Sequence, residues 1–477
     1  MKLGDVATRA VAGDLIRRTA AAIPDQPLWL VGGAVRDVAL GREVRDLDLA
    51  VTGSPEAPAR AVAATLGGSA FELSAEFPTW RARDRDGAWQ IDLATLRGPD
   101  IEADLLLRDF TVGAVAVDLR TGDGIDPTGG LDDLEAGVIR AVGPGSFADD
   151  PLRLMRVARL VAQFGWSVEP GTAELARASS GRAAEPAGER ILTELCLLIA
   201  APDPVAGIET MDSLGVLPVV LPEVAALHGV IQGPNHHRDV YGHTLEVIEG
   251  VLLIESDLER FTGERSPEVR ELLNSPLADG VSRSTGLRLA GLLHDCAKPQ
   301  TRSERNGIIS FRGHDRDGAD QVKAIFGRLR ASNRLAGYVA EITRHHLVLG
   351  FMVPEQPLNS HQVYAYLRHT DPVTVDVTLL TVADRLAARG SASIASREMV
   401  KGHLDLAREM VGHGLDWRRD GPPAPFLKGD ELASELGIEP GPELGGVVEA
   451  LAEARYTGEV HSASEAVEFG RRLLDAG

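Results

Sequence analysis

The sequence predicts an α+β protein in which an α/β segment comes first and an all-helical remainder follows. Short apolar runs that end at glycines or turns, such as Leu28 to Val31, alternate with helical patterns up to about residue 140. The chain beyond that point is mainly helical in pattern, with prolines between the helices. We expect an α/β head over 1–142, a helical neck over 143–230, a second helical domain over 231–390 and a helical tail over 391–477, with a linker at Gly421.

The composition is that of a globular protein with several domains. The 477 residues are enough for two to four domains, and the formal charge of −21 argues against indiscriminate nucleic-acid binding. A local basic face could still bind RNA, but we expect no DNA partner. The distant cysteines Cys196 and Cys296 indicate no disulfide framework and favour the cytoplasm. No apolar run is long enough to cross a bilayer, so no membrane partner is expected.

A phosphate-binding turn is predicted at Gly32 and Gly33, directly after the strand Leu28 to Val31. Because these glycines have no Cβ, the backbone can approach a phosphate closely there. The amides that open the next helix can face the same anion. Arg36 lies on that helix and can pair with a phosphate.

Two aspartates follow in the apolar segment that ends at Val51. Asp46 and Asp48 are two residues apart, so in a strand their side chains point to the same face. Two carboxylates beside a phosphate-binding turn indicate a divalent metal site, with Mg²⁺ bridging to a nucleoside triphosphate. A tight turn followed by a solvated acidic strand end is the alternative, but such carboxylates repel each other without a cation.

Together these residues resemble the GGxVRD and DxD signature of class II tRNA nucleotidyltransferases and bacterial poly(A) polymerases. The resemblance implies a polymerase β-like nucleotidyltransferase head with Asp46 and Asp48 as catalytic metal ligands. It also implies a third carboxylate on a neighbouring strand, for which Asp92 is the candidate, although an exposed strand aspartate explains that residue equally well. The matching positions are Gly32, Gly33, Val35, Arg36, Asp37, Asp46 and Asp48.

The segment from Leu107 to Gly113 is similar to the family's RRDFTxN motif. The resemblance gives Arg108 the role of binding the nucleotide phosphates. Leu107 and Gly113 depart from the family's arginine and asparagine, which leaves the fine positioning of nucleotide or primer open. Family members that build the whole CCA end of tRNA usually carry a longer flexible loop between the positions of Leu96 and Arg108, so the resemblance implies CC addition or another restricted specificity here.

A helix with regularly spaced charges is predicted from Asp149 to Phe164. Its charged residues recur every third position, so neighbouring pairs share a face. The segment matches the family's (E/D)DxxR element, in which the aspartate and first arginine read the edge of the incoming base. Cytosine and adenine each present an amino donor beside a ring acceptor, which a carboxylate and a guanidinium complement. The residues are Asp150, Arg153, Arg156 and Arg159.

A second constellation runs from about Asn235 to Arg389. One histidine, an adjacent His-Asp pair and a distant aspartate form the ligand set of HD-domain phosphohydrolases, here His243, His294, Asp295 and Asp384. Such ligands can hold a divalent ion that polarises a phosphate or activates water. Further histidines between them could bind a second metal or a phosphate, namely His314, His345 and His346.

The resemblance implies template-independent transfer of CMP or AMP from CTP or ATP to the 3′ end of tRNA, with Mg²⁺ at the head. Three alternatives remain: an HD phosphohydrolase or phosphodiesterase as the main activity, a poly(A) polymerase, and a weakened RNA-binding relative. Oligomeric state and the HD metal are left open by the sequence.

Overall fold

The computed structural model describes residues 2–74, 78–233, 236–388 and 396–476. The chain forms two compact units, Met1–Val220 and Leu221–Gly477, and each is described by itself. The α+β fold class is confirmed, because the sheet lies in the first unit and helices dominate the second. The predicted domain boundaries at 142, 230 and 390 stay predictions, and residue 390 lies outside the described residues.

A seven-stranded mixed sheet forms the head, in the order β3-β4-β5-β2-β1-β6-β7. Only the β2–β5 pair among these strands is parallel. The strands are β1 (Leu28–Val31), β2 (Asp46–Val51), β3 (Ser69–Ser74), β4 (Thr79–Arg83), β5 (Gln90–Thr95), β6 (Ala116–Asp118) and β7 (Gly124–Ile125); β8 (Val138–Ile139) pairs separately with β9 (Ser167–Val168).

The first unit also contains twelve α-helices among its described residues. They are α1 (Leu3–Ala12), α2 (Asp14–Ala22), α3 (Gly33–Ala39), α4 (Glu56–Leu66), α5 (Ile101–Leu106), α6 (Gly130–Ala136), α7 (Ser146–Asp149), α8 (Arg153–Phe164), α9 (Pro170–Ser179), α10 (Gly188–Ala200), α11 (Pro204–Ser213) and α12 (Leu217–Val220).

Alternation along β2 decides which side chains face solvent. Leu47 and Leu49 are buried, so Asp46 and Asp48, which alternate with them, point to the opposite, open face. On β5, Ile91 and Leu93 are buried in the same way. The apolar residues thus fix the strand register, and the register puts the acidic residues on one face.

The helix predicted from Asp149 begins at Arg153 instead. Asp150 has an extended backbone, with φ −145° and ψ 101°, and separates α7 from α8. The cause is Pro151, because the proline ring disfavours the helical conformation in the preceding residue. From Arg153 onward, α8 packs its apolar face into the neck.

The second unit is built around α14, α17, α20 and α23, which pack against one another. Its elements are α13 (Pro222–Ala225), α14 (Val240–Ser256), α15 (Leu258–Thr262), α16 (Ser266–Asn274), β10 (Pro276–Ala278), β11 (Val281–Ser282), α17 (Arg283–Leu293), α18 (Lys298–Thr301), β12 (Ser303–Arg305), β13 (Ile308–Ser310), α19 (His314–Arg328), α20 (Asn333–His345), α21 (Val348–Met352), α22 (Ser360–Thr370), α23 (Thr374–Ala387), α24 (Ser396–Asp420), α25 (Gly429–Leu436), α26 (Pro442–Thr457) and α27 (Ala463–Ala476). Across the described part of the chain, no helix is long and apolar enough to cross a membrane.

Candidate active sites

The turn after β1 brings backbone and charged side chains into close contact. Gly32 has φ +67° and ψ −137°, a conformation that side chains with a Cβ rarely adopt. A Cβ there would lie 3.0 Å from Asp48 Oδ2 and 3.1 Å from Arg108 Nη1. The backbone amide of the next residue, Gly33, lowers the pKa of the Asp48 carboxylate. The turn therefore connects the predicted phosphate-binding backbone directly with a predicted metal ligand and a predicted phosphate-binding arginine.

The carboxylates of the head face one another across neighbouring strands. Asp48 on β2 is paired in register with Asp92 on β5, and Asp46 lies two residues earlier on the same face. Desolvation raises the pKa of Asp48, and the negative charge of Asp92 adds to this rise, against the opposing effects of Arg108, Arg156 and the Gly33 amide. Solvent nevertheless reaches the Asp48 side chain. A divalent cation would favour the ionised form, and the all-oxygen donor set suits a hard ion such as magnesium.

Arg81 on β4 pairs with the third carboxylate. Its Nε and Nη2 each donate to one oxygen of Asp92, at 2.7 Å in both cases. The prediction that Asp92 lies beside Asp48 matches the geometry, but Arg81 was not anticipated. The register of β4 against β5 places Arg81 opposite Asp92.

Arg108 is held by Asp104 at the end of a short, well-bonded connection. Arg108 Nε and Nη2 donate to Asp104 Oδ2 at 3.1 and 3.0 Å. The amide and Nε of Arg97 donate to the other oxygen. Burial alone would raise the pKa of Asp104, but these arginines and the backbone hydrogen bond lower it. The segment between Leu96 and Arg108 therefore contains a short helix, and its two ends are held together by hydrogen bonds to Asp104.

Arg36 is held on two sides. Its Nε and Nη2 donate to the adjacent Asp37 at 3.1 and 3.2 Å, and its guanidinium lies 4.7 Å from the centre of the Phe164 ring. Arg42 lies at the same distance from that ring. The predicted phosphate contact of Arg36 would therefore have to replace or share its bond to Asp37. Phe164, at the end of α8, is a contact that sequence reasoning missed.

The structure does not bring Asp150 and Arg153 together as a pair. Asp150 Oδ2 instead accepts a hydrogen bond from Arg190 Nη2 at 2.9 Å. Arg153 is buried and donates to the carbonyl oxygens of Leu107 and Ser146, at 2.9 and 3.0 Å. Arg153 thus ties the neck to the segment that carries Arg108, while its role in base selection stays a prediction.

The other two neck arginines form ion pairs with residues that sequence reasoning did not select. Arg156 Nε lies 2.8 Å from Asp109 Oδ2, and Arg159 Nε lies 3.0 Å from Glu194 Oε2. Burial would raise the pKa of Asp109, but Arg156, the Phe110 amide, Arg153 and Arg108 together lower it. Burial does raise the pKa of Glu194, even against Arg159. Asp109 belongs to the RRDFTxN-like segment, and Glu194 lies on α10.

Replacing Arg159 with methionine should destabilise the fold by about 3 kcal/mol, because it leaves the buried Glu194 charge without its partner. The loss should be smaller in mildly acidic buffer than at neutral pH. Because the pKa of Glu194 is raised in the folded state, its protonation stabilises the fold, and this stabilisation is lost as pH rises. Urea unfolding at both pH values measures the change. The Arg159→Met, Glu194→Leu double variant is the control, and a double variant as unstable as the single one would contradict the prediction.

The histidines and aspartates of the second unit meet in two groups. In each group the candidate ligand atoms lie within 4.8 Å of one another; the groups are His243, His294 and Asp384, and Asp295, His314 and His346. His294 Nε2 and Asp295 Oδ1 are buried without a well-formed hydrogen bond, whereas Asp295 Oδ2 lies 2.7 Å from Lys298 Nζ. Such atoms gain most from a metal ion. The groups adjoin at the His294-Asp295 pair, whose side chains approach to 3.1 Å.

The three additional histidines do not all lie in one group. His314 and His346 join the second group, with their Nε2 atoms 3.3 Å apart. Burial, with the charges of His294 and His314, lowers the pKa of His346 to about 4, so its neutral ring is available as a ligand. His345 lies elsewhere, bonded to Glu341, because consecutive helical residues point in different directions. Asn235 and Arg389 lie outside the described residues.

The aspartates of β2 beside the glycine turn, on this mixed sheet, define a nucleotidyltransferase of the polymerase β type. The histidines and aspartates of the second unit define an HD domain joined to it. Residues 28–140 match the Poly A polymerase head domain, 165–227 the "probable RNA and SrmB-binding site of polymerase A", and 240–389 the HD domain. The A-adding tRNA nucleotidyltransferase of Deinococcus radiodurans is 38% identical over 454 residues, which are 94% of this chain and 95% of that protein. The chain therefore belongs to the tRNA nucleotidyltransferase family.

Further relatives and solved structures agree with this assignment. The CC-adding tRNA nucleotidyltransferase of Thermus thermophilus is 33% identical over 92% of both chains. The Thermotoga maritima CCA-adding enzyme in complex with tRNA has a TM-score of 0.59 at 21% identity, with 99% of each chain covered. A CCA-adding enzyme in complex with CTP gives 0.62 at 21% identity, covering 100% of this chain and 99% of that one. At this identity the structures show a common fold.

Proposed function

We propose that this enzyme transfers AMP or CMP, without a nucleic-acid template, from ATP or CTP to the 3′ end of tRNA and adds only part of the CCA sequence. The observation that carries the chemistry is the position of Asp48 and Arg108 beside the glycine turn, where a Gly32 Cβ would lie 3.0 Å from Asp48 Oδ2 and 3.1 Å from Arg108 Nη1. The same turn and arginine would hold a triphosphate beside the carboxylates. We place the enzyme in the cytoplasm, with tRNA rather than DNA as its partner.

Asp46, Asp48 and Asp92 would hold magnesium. Magnesium bound there would supply Lewis-acid chemistry that lowers the pKa of the primer 3′-hydroxyl and neutralises the departing pyrophosphate. The Gly33 amide and the guanidinium groups of Arg36 and Arg108 would orient the triphosphate in line for attack.

Base selection would fall to the neck. Asp150 offers a carboxylate acceptor for the amino group that cytosine and adenine share, and Arg153 would supply the donor. Because Arg153 now donates to backbone carbonyls, nucleotide binding would have to redirect one of its N–H groups. Arg156 and Arg159 would support this helix through their ion pairs with Asp109 and Glu194.

Two observations bear on which nucleotides are added. The higher identity to an A-adding enzyme than to the CC-adding ones supports AMP transfer to tRNA that already ends in CC. The short segment before Arg108, held by hydrogen bonds to Asp104, supports CC addition as the second candidate. It stands where relatives that build the whole CCA end have a longer flexible loop. Both candidates are restricted specificities, and we favour A addition.

Incubating the enzyme with tRNAs that end at the discriminator base, at C or at CC, each with one labelled triphosphate, tests the proposal. We expect AMP incorporation on the CC-ended tRNA and little on the others. CMP incorporation on the two shorter tRNAs would establish CC addition instead. UTP or GTP incorporation as efficient as that of CTP and ATP would overturn the base-selecting role of the neck. A long A tail would indicate a poly(A) polymerase, and binding without incorporation a weakened relative.

The HD groups favour a second activity, metal-dependent hydrolysis of phosphate esters. The supporting observation is that His243, His294 and Asp384 converge, with Asp295 beside them. His243 Nε2 lies 2.9 Å from Asp384 Oδ1, so the ligands are already assembled. A divalent ion held there, with a second beside His314 and His346, would polarise a phosphate or activate water.

A further inference from the structure

An arginine occupies the oxygens of the third candidate metal ligand. Both oxygens of Asp92 accept hydrogen bonds from Arg81, one from Nε and one from Nη2. The two side chains are only 26% and 21% exposed. A two-pronged guanidinium–carboxylate bond is among the strongest polar contacts that side chains form.

Arg81 also faces the other two carboxylates. In the antiparallel β4–β5 pair it stands opposite Asp92, and in the parallel β5–β2 pair Asp92 stands opposite Asp48. The three side chains therefore form a row across three strands on one face of the sheet. The hydrogen bond to Asp92 raises the pKa of Arg81, and the charges of Asp92, Asp46 and Asp48 raise it further.

This row sets Arg81 and a cation in competition for Asp92. Arg81 occupies one lone pair on each Asp92 oxygen, and its positive charge repels a cation that approaches the same carboxylate. Before an ion arrives, Arg81 supplies positive charge to a cluster whose carboxylates otherwise repel. The part of the Arg81–Asp92 stabilisation that an ion disrupts is subtracted from the affinity of the site for that ion.

We propose that Arg81 sets the divalent-cation affinity of the nucleotidyltransferase site by competing with the ion for Asp92. This inference rests on the proposed role of Asp92 as third ligand. Loss of the guanidinium should tighten cation binding, whereas loss of a merely structural arginine would leave the affinity unchanged or weaken it.

Manganese is the probe that tests this, because electron paramagnetic resonance reports free Mn²⁺ directly and needs no turnover. The full-length protein is titrated without nucleotide. Mn²⁺ binding by the HD domain is removed by subtracting the titration of Asp48→Asn, which lacks a head ligand. For the difference we expect Arg81→Gln to bind about tenfold more tightly than the wild type, the size of effect that one charged hydrogen-bonded pair produces.

Arg83→Gln is the matched control. Arg83 lies on the same strand, but its guanidinium lies 5.5 Å from the centre of the Phe71 ring. Its replacement should leave Mn²⁺ binding unchanged. Arg81→Lys keeps the charge without the two-pronged geometry and should give intermediate tightening, which also carries the test if Arg81→Gln does not fold.

Each outcome decides a different claim. Asp48-dependent Mn²⁺ binding with an unchanged or lower affinity in the Arg81 variants would overturn the competition while leaving the metal site intact. Reduced thermal stability in EDTA, with unaltered affinity, would identify a structural role and overturn it as well. Failure of the proposed function looks different: the wild type would then show no Asp48-dependent binding at all.

Discussion

Asp48→Asn is expected to reduce nucleotide incorporation into tRNA by about a thousandfold or more. The neutral amide cannot replace an anionic oxygen ligand. Asp48 is the carboxylate that lies beside both the glycine turn and Arg108. Labelled AMP and CMP incorporation under single-turnover conditions measures the loss. Activity within tenfold of the wild type would remove Asp48 from the catalytic machinery.

The same variant should not lose stability. Because the pKa of Asp48 is raised in the folded state, its ionisation opposes folding, and this cost sets in as pH rises above the ordinary aspartate pKa of 3.8. Removing the charge should therefore leave the unfolding temperature at neutral pH equal to or above that of the wild type. A large drop would mean that lost activity reflects unfolding rather than chemistry.

A matched variant in the other unit separates the two activities. His294→Ala removes an HD ligand and should abolish phosphate-ester hydrolysis while leaving incorporation unchanged. Asp48→Asn should do the reverse. If hydrolysis falls with Asp48→Asn and survives in His294→Ala, the assignment of the HD groups is wrong.

Gly32→Ala is expected to reduce both stability and nucleotide incorporation. The positive φ is strained for alanine, at a cost of about 1–3 kcal/mol. The added carbon would also press on Asp48 Oδ2 and Arg108 Nη1, at 3.0 and 3.1 Å. We expect incorporation to fall at least about a hundredfold, because small displacements of reacting groups are costly. Thermal unfolding and single-turnover incorporation measure the two effects.

Gly33→Ala is the control for this change. Gly33 begins α3 without a positive φ, and its nearest neighbour would be the flexible end of Arg36, at 3.3 Å. The arginine can move by a few tenths of an ångström, so stability should change little and activity much less than in Gly32→Ala. Equal losses in the two variants would contradict the conformational argument, since they would indicate that any added carbon near the turn is harmful.

Local patterns in the sequence were sufficient for the elements that carry the head site. The apolar run Leu28 to Val31 predicted β1, the glycine pair predicted the start of α3, and the spacing of Asp46 and Asp48 predicted their common face. These inferences succeed because backbone conformation and side-chain periodicity depend on residues close in sequence. The extended backbone of Asp150 also follows from a local effect, that of Pro151 on the residue before it. The predicted helix start did not take this effect into account.

Pairing between distant side chains was decided only by the tertiary structure. Sequence spacing suggested Asp150 with Arg153, whereas packing of α10 against α8 gives Asp150 to Arg190. In the second unit, the consecutive histidines point to different places, and of the two His346 lies in the candidate metal-binding group with His314. Strand register likewise placed Arg81 against Asp92. Sequence therefore determined which charged groups were available and which faces of the helices and strands they occupied. Three-dimensional packing determined their partners, because charged groups pair with whatever the fold brings within hydrogen-bonding distance.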